Sequence, residues 1–447
     1  MAIEGVDGLG DVLEGFESGE MALIVEKAPE DIPILAFEGP RNIWGFKAFE
    51  LYGNFFISGG GYTSSPDTVP CYGDFRKLAE LIVGVKFNLE AKAFWDWDIT
   101  CKGSSGHDFS FDINGRHHYT NEYLSDVENK WELMEFYAEK SLTTWLDIGI
   151  GRQILAWGTS ESFRLVDVIN PLDRRQYGKI DIEDLRLGVT MTRIDVYTGK
   201  FSFTGLVTHE ARHDKRAVCG SPFHTGSEPV NAHTEDTGWG NHQFMTRLAG
   251  QFRGWDASVY LSNSFHNTAY KNIGGHYIYP RVWMFGGICT VAISNFLIKT
   301  EAAWFDGVRY SATPEKEKAE LKILLGLEYS GFTDTQIVLE MINTRISSFE
   351  SKMAQAPYIQ RRNTLKTALR VEKKLFNETL EILLVAGFSG NDFRDGSFQR
   401  LETTYDFTDR VALTTGLILY QGGNAAFHES IKDNDMIYLQ MEWRFSS

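Results

Sequence analysis

The sequence predicts an all-β protein: a transmembrane antiparallel β-barrel of about 18 strands (16 being a near miss), with short periplasmic turns and long extracellular loops. Three observations predict it. Apolar and polar residues alternate with period two in runs of about ten residues, the length of a tilted strand that crosses a bilayer. Short connections alternate with long polar ones along the chain. The final run ends on Trp443-Arg444-Phe445, with only Ser446-Ser447 after it.

Composition narrows the field before any pattern is read. The chain has 447 residues, 44 Lys+Arg against 60 Asp+Glu, and a net charge of -16, so no basic stripe exists for nucleic acid. Aromatic residues make up 13%, spread along the whole length, which excludes disorder. Four cysteines (Cys71, Cys101, Cys219 and Cys289) are too few for a disulfide scaffold and match no zinc ribbon. The start, Met1-Ala2-Ile3-Glu4-Gly5, has neither the basic nor the apolar region of a signal peptide. For a barrel of the bacterial outer membrane, the expectation is that such a peptide has been removed.

Taken in order, residues 1–42 are acidic and weakly patterned. Val6, Leu9, Val12, Leu13 and Phe16 fit a short amphipathic helix, and a mobile tail fits equally well. This segment is expected in the periplasm as a plug or a contact for a periplasmic partner, and residues 43–447 are expected to form the barrel. Strands are expected at 46–58 and 75–87, then 89–100, 130–140, 142–150 and 184–197. From Leu81 to Ile99 the odd positions are apolar, including Val83, Phe87, Leu89 and Trp97, while Lys86, Glu90, Lys92 and Asp96 occupy even ones. A strand sends these sets to opposite faces, so the four charged residues are expected to face the lumen.

The series continues at 200–210, 242–252, 254–263, 281–293, 295–305, 320–330 and 334–344, and ends at 364–373, 377–388, 397–407, 410–420 and 435–445. Within it, Val282 to Ile298 is uncharged for seventeen residues, near the lower limit for a spanning helix. Gly286-Gly287, the β-branched Ile288, Thr290, Val291 and Ile293, and the polar pair Ser294-Asn295 favour two strands with a turn instead. A soluble sandwich would use strands of about 5–6 residues. A propeller would repeat every ~40–50 residues, and no such self-similarity is present. Trp443 and Phe445 fit the aromatic ending that barrel-assembly machinery recognises.

The sharpest enzymatic pattern is His209-Glu210-Ala211-Arg212-His213, a formal H-E-x-x-H. On a helix the two histidines share a face and bind Zn²⁺ with the glutamate as base. On a strand they sit roughly 13 Å apart, too far for one ion held at about 2 Å from each nitrogen. The motif follows the strand run Phe201–Val207 into a long polar loop, so zinc chemistry is the weakest of three readings. There is no G-x-S-x-G, phosphate loop or dinucleotide fingerprint, and no cofactor is expected. Cys71 and Cys101 fall in the first two long loops, where a disulfide and two free thiols are equally compatible.

The most distinctive stretch is Gly151-Arg152-Gln153-Ile154-Leu155-Ala156-Trp157-Gly158, continuing through Glu161, Phe163-Arg164 and Asp167-Val168-Ile169-Asn170-Pro171-Leu172-Asp173-Arg174-Arg175. It resembles a signature of a proteobacterial outer-membrane barrel family catalogued as a domain of unknown function, related in fold to porins and to the alginate exporter. In that family Gly-(Arg/Lys)-Gln precedes Trp-Gly and then Asn-Pro-x-Asp. The resemblance is specific over 151–175; elsewhere it is one of barrel pattern and length. It implies a porin-like protein of the outer membrane.

Physically, the long loop 151–183 suits a constriction. Arg152, Glu161, Arg164, Asp167, Asp173, Arg174 and Arg175 would meet lumen charges, while Trp157, Phe163, Leu165, Val168 and Ile169 seek burial; a solvated surface loop turning at Asn170-Pro171 is the plainer alternative. The expected function is a non-enzymatic channel for small or hydrophobic solutes. The alternatives are the barrel of a trans-envelope export complex for lipid or polymer, and a surface zinc hydrolase through His209, Glu210 and His213. Expected partners are outer-membrane lipid and lipopolysaccharide, the assembly machinery, and a periplasmic protein at residues 1–42.

Overall fold

Alternation along the chain becomes a closed wall in the computed structural model, which describes residues 48–63, 77–112, 114–117, 128–178, 185–217, 221–224, 233–234 and 238–446. The first strands are β1 (Ala48–Tyr62), β2 (Ala79–Lys92), β3 (Asp98–Phe111), β4 (Asn129–Thr143), β5 (Leu146–Gln153) and β6 (Val189–Thr198). Next come β7 (Phe201–Thr208), β8 (Gln243–Phe252), β9 (Trp255–Phe265), β10 (Arg281–Ile293), β11 (Phe296–Val308) and β12 (Lys318–Phe332). The circuit ends with β13 (Thr335–Ile346), β14 (Asn363–Leu375), β15 (Leu380–Ser389), β16 (Gly396–Thr408), β17 (Val411–Gln421) and β18 (Met436–Ser446). Each strand pairs with its sequence neighbours, and β18 returns to β1 with Phe55 opposite Trp443, which closes an 18-stranded antiparallel barrel. Closure leaves no backbone edge unpaired in the bilayer, the condition for a sheet to span one.

The outer face carries the apolar half of each alternation. Phe55, Ile57, Val83, Trp283, Phe285, Leu325, Leu439 and Trp443 are all exposed there, as a lipid-facing belt requires. Tight turns join strands at the periplasmic end, with Ser294 (φ 54°) between β10 and β11 and Asp334 (φ 47°) between β12 and β13. The uncharged run Val282–Ile298 is therefore two strands and a turn. Residues 1–42 lie outside the described residues, as does Cys71.

One boundary differs from the sequence reading. The alternation from Leu81 to Ile99 passes through a turn at Phe94–Asp96, where Trp95 and Asp96 take φ of 55° and 57°. The third strand is thus Asp98–Phe111 rather than 89–100, and Cys101 lies in that strand, a free thiol, instead of in a loop. Asp96 stands in the turn and does not face the lumen.

The lumen is not uniformly wet. A large apolar cluster on the inner face of β8–β13 includes Met245, Tyr260, Met284, Leu324 and Ile342, and a second involves Phe398, Ile418, Tyr420 and Tyr438 on β16–β18. Both are covered by loops. The rim that admits them is low at β5 and β7, which have 8 residues each against 15 in β1 and β4.

Candidate functional site

Residues 154–178 leave the wall at this low rim, and residues 185–188 return to it. Gln153 pairs with Val189, so the segment begins and ends side by side. Asn170 staples its neck. The Asn170 Nδ2 donates to the carbonyls of Gln153 and Leu187, 3.0 Å each, and its Oδ1 accepts from the Leu155 N–H at 2.9 Å. The chain between these bonds is committed to excursions into the barrel.

The first excursion crosses to the far wall. There Glu301 of β11 and Glu340 of β13 face inward at 1% and 0% exposure. Glu301 Oε1 accepts the backbone N–H of Thr159 (2.6 Å) and Ser160 (3.0 Å) and the Thr159 hydroxyl (3.0 Å). Glu340 accepts the N–H of Glu161 (3.0 Å) and Ser162 (2.8 Å) and the Ser160 hydroxyl (2.9 Å). These two carboxyl groups satisfy backbone donors that no strand could pair. Gly158, at φ +121°, makes the bend that presents these amides; an L side chain there would be strained.

Side chains extend the anchoring. Glu161 meets Lys299 at 3.1 Å and Arg370 at 3.8 Å, while Lys299 also holds Glu328 at 3.0 Å and Arg370 holds Glu372 at 3.1 Å. Burial pushes the Glu161 carboxyl above its usual range, although Lys299 pulls against that shift. Trp157 packs on the Tyr260 ring at 5.3 Å, and Phe163, Leu165, Val166 and Ile169 complete the apolar cluster of the wall. Full burial of such side chains is worth about 1.5–3 kcal/mol each, which makes the docked position the stable one.

After the neck the chain reaches the opposite wall. Tyr177 sits against Phe398 (5.4 Å) and Phe427 (5.2 Å), and its carbonyl accepts from Tyr420 Oη at 2.5 Å. Asp173-Arg174 pairs in parallel with Lys215-Arg216 of the following loop, and Arg174 meets Asp214 at 2.9 Å. A single segment thus touches β10–β14 on one side and β16–β17 on the other.

Of the residues singled out by sequence, Trp157, Glu161, Arg164, Asp167, Asn170 and Arg174 are buried in this assembly. Asp173 pairs with Arg175 at 2.8 Å between Asp173 Oδ1 and Arg175 Nε. Arg152 stands apart: it is opposite the exposed Phe136 on β4, and it bonds the Leu133 carbonyl (3.4 Å) and Glu210 (3.3 Å) at the rim. Lys86, Glu90 and Lys92 lie on β2, where Glu90 accepts from Tyr52 Oη at 2.9 Å and Lys92 is 3.5 Å from Asp98. Of the loop's charges, Glu161 pairs instead with Lys299 and Arg370 across the barrel. Trp443 faces outward and Phe445 packs on Phe55 at 5.1 Å.

His209, Glu210 and His213 do not converge. His209 Nε2 is 2.9 Å from Thr192 Oγ1, Glu210 accepts the Thr190 N–H at 2.7 Å, and His213 stacks flat on Tyr279 at 3.5 Å. Burial lowers the His213 pKa to about 4. Among the described residues no group of three or more His, Cys, Asp or Glu is arranged to hold a metal ion.

Sequence reasoning missed the receiving wall. Glu340 is a single carboxylate between the apolar inward neighbours Val338 and Ile342, and Glu301 follows the inward Lys299 and precedes Ala303 and Phe305; carboxylates buried in such a row are the signal that a docking partner exists.

Two solved structures share the architecture. A BenF-like porin from Pseudomonas fluorescens Pf-5 aligns with TM-score 0.53 at 9% identity, covering 89% of this chain and 98% of the porin. OpdQ from Pseudomonas aeruginosa aligns with TM-score 0.50 at 7% identity, again over 89% and 98%. At such identity the likeness shows the fold, an outer-membrane porin-type barrel. No curated protein matches the chain by sequence. The family of proteins of unknown function DUF1302 matches residues 76–445, and the chain belongs to it.

Proposed function

We propose that the protein is a porin-like channel of the bacterial outer membrane that passes small solutes, narrowed by residues 154–178. The observation that carries this reading is the segment anchored on two walls by buried carboxylates and aromatic rings. A sealed scaffold needs only an apolar filling, whereas this insertion also carries a half-buried charged pair, Asp173 and Arg175, whose field would act on a passing solute. The half-buried Asp173–Arg175 pair is the charged lining of the constriction, while the buried Glu161 and its partners Lys299 and Arg370 hold the loop in place. The chain acts by filtering and supplies no catalytic group.

Proteoliposome swelling tests the proposal. Vesicles carrying the folded barrel should admit small sugars and amino acids at a rate that falls steeply with solute size. Vesicles that stay closed, both with the intact protein and with residues 156–169 excised, would overturn it.

A further inference from the structure

We infer that the channel selects cations: solutes pass along the inner face of β1–β6, and an arc of opposed carboxylates at its periplasmic mouth favours small cations, organic ammonium ions among them. This names a solute class for the channel proposed above and rests on that reading. The docked loop fixes the route. Residues 154–178 are anchored on β10–β14 and on β16–β17, where Glu301, Glu340, Phe398 and Tyr420 are buried beneath them. The inner face of β1–β3 is left open: Tyr52 is 39% exposed, the Lys102 side chain 43%, and Glu50 and Glu90 are exposed as well.

The charges on this open face are arranged against the stability of the wall. Glu50 stands directly opposite Glu90 across β1 and β2, Asp98 opposite Glu139 across β3 and β4, and Asp147 opposite Asp195 across β5 and β6. All lie near the periplasmic strand ends and share the inner face, since their strand neighbours Leu51, Leu89, Ile99, Ile148 and Ile194 take the lipid side. Like charges at directly opposed positions destabilise a sheet. On β14 and β15 the opposed charges differ in sign, Lys374 facing Glu381. The repulsion is thus a feature of the wall that the loop leaves uncovered.

The cations of this face do not cancel the arc. Arg193 bonds Glu139 and, at 2.7 Å, Asp195; Lys92 is 3.5 Å from Asp98; and Lys102 is spent on Glu135 at 2.8 Å. Glu90 is held by the neutral donors Tyr52 Oη at 2.9 Å and Asn88 Nδ2 at 3.2 Å, which fix its position and leave its charge in place. Even with Lys86 included, carboxylates outnumber cations along the mouth. At the constriction the signs are matched, Arg175 with Asp173 and both Arg212 and Lys215 with Glu132, so the mouth sets the sign of the selectivity. In 0.1 M salt a charge is felt over about 10 Å. Carboxylates along the route therefore act on a passing ion, and those on the covered wall do not.

Reversal potentials of the full chain in a planar bilayer, recorded in a potassium chloride gradient, test the inference. The potassium-to-chloride permeability ratio should be at least about 5, and methylammonium substituted for potassium should still carry current. Glu50→Gln with Glu90→Gln removes one opposed pair, relieves repulsion in the wall, and should lower the ratio at least about twofold. Asp256→Asn removes an exposed carboxylate from the inner face of β9, opposite Gln251 and Thr290 and away from the route, and should leave the ratio unchanged. A ratio at or below one, a ratio unmoved by the double substitution, an equal loss in Asp256→Asn, or no current carried by methylammonium overturns the inference. The two readings fail separately. Conductance without cation preference removes only this one, and a folded, heat-modifiable barrel without conductance removes the channel as well.

Discussion

Replacing Glu340 by glutamine should release the constriction locally while leaving the barrel intact. Glu340 uses both carboxylate oxygens as acceptors, one for the Glu161 N–H at 3.0 Å and the other for the Ser162 N–H at 2.8 Å and the Ser160 hydroxyl at 2.9 Å. Glutamine offers one oxygen, so at least one buried donor meets an NH₂ group instead. Losing a charge-assisted bond and stranding its donor costs about 2–3 kcal/mol. That corresponds to roughly a 30- to 150-fold shift in a local opening equilibrium. Amide hydrogen exchange reads it directly, because opening is what exposes these N–H groups. A peptide spanning residues 158–163 should exchange faster by about that factor, while peptides from β10 and β12 keep their protection. Unchanged exchange at 158–163 in a folded Glu340→Gln barrel would refute the claim that this carboxylate holds the loop.

Other perturbations follow from the same geometry. A Cβ at Gly188 would lie 1.8 Å from the Met134 carbonyl oxygen, so Gly188→Ala must displace the returning chain from β4; a lower unfolding temperature in a heat-modification series checks this. His213 and His428 are held neutral by burial, each with a pKa of about 4. Because the unfolded chain binds those protons more tightly, their contribution to stability is complete above about pH 6.5 and is lost as pH falls toward 4. His213→Phe should therefore retain more of its neutral-pH stability at pH 5 than the parent does, measured by denaturant unfolding at both pH values. Zinc titration should leave the melting of the protein unchanged, and a stoichiometric zinc-dependent rise abolished by His209→Ala would contradict the placement of that motif. Trp443→Ala with Phe445→Ala should lower the yield of assembled barrel in cells without changing the conductance of what does assemble, if these residues serve recognition by the assembly machinery.

The wall was legible in the sequence because lipid imposes a strict alternation on it. Runs such as Trp255–Leu261 and Val411–Leu419 have no other economical reading, and the hairpin at Ser294-Asn295 is marked by its polar pair. Strand three shows where the code weakens. Ala93, Trp95 and Trp97 keep the parity of β2 through a real turn, while Gly103, Ser105 and His107 dilute the outward face of β3. The loop was legible as a set of charges and aromatic residues that need partners, but its partners were not. Pairing across a barrel depends on which strands face each other over the lumen, and Glu161 lies 138 residues before Lys299 in the chain. No local pattern encodes that distance. Arg152 illustrates the complementary error: it belongs to the same sequence stretch as Glu161, yet the strand carries it to the rim before the chain turns inward.

The central claim is that residues 154–178 narrow an otherwise open barrel. Its most direct test is single-channel conductance in a planar bilayer, comparing the intact chain with one in which residues 156–169 are replaced by a short glycine-serine bridge. The account predicts a steady conductance in the intact protein and a severalfold larger one after excision, with weaker discrimination between ions. Equal conductance in the two proteins, each shown to be a folded heat-modifiable barrel, would contradict it.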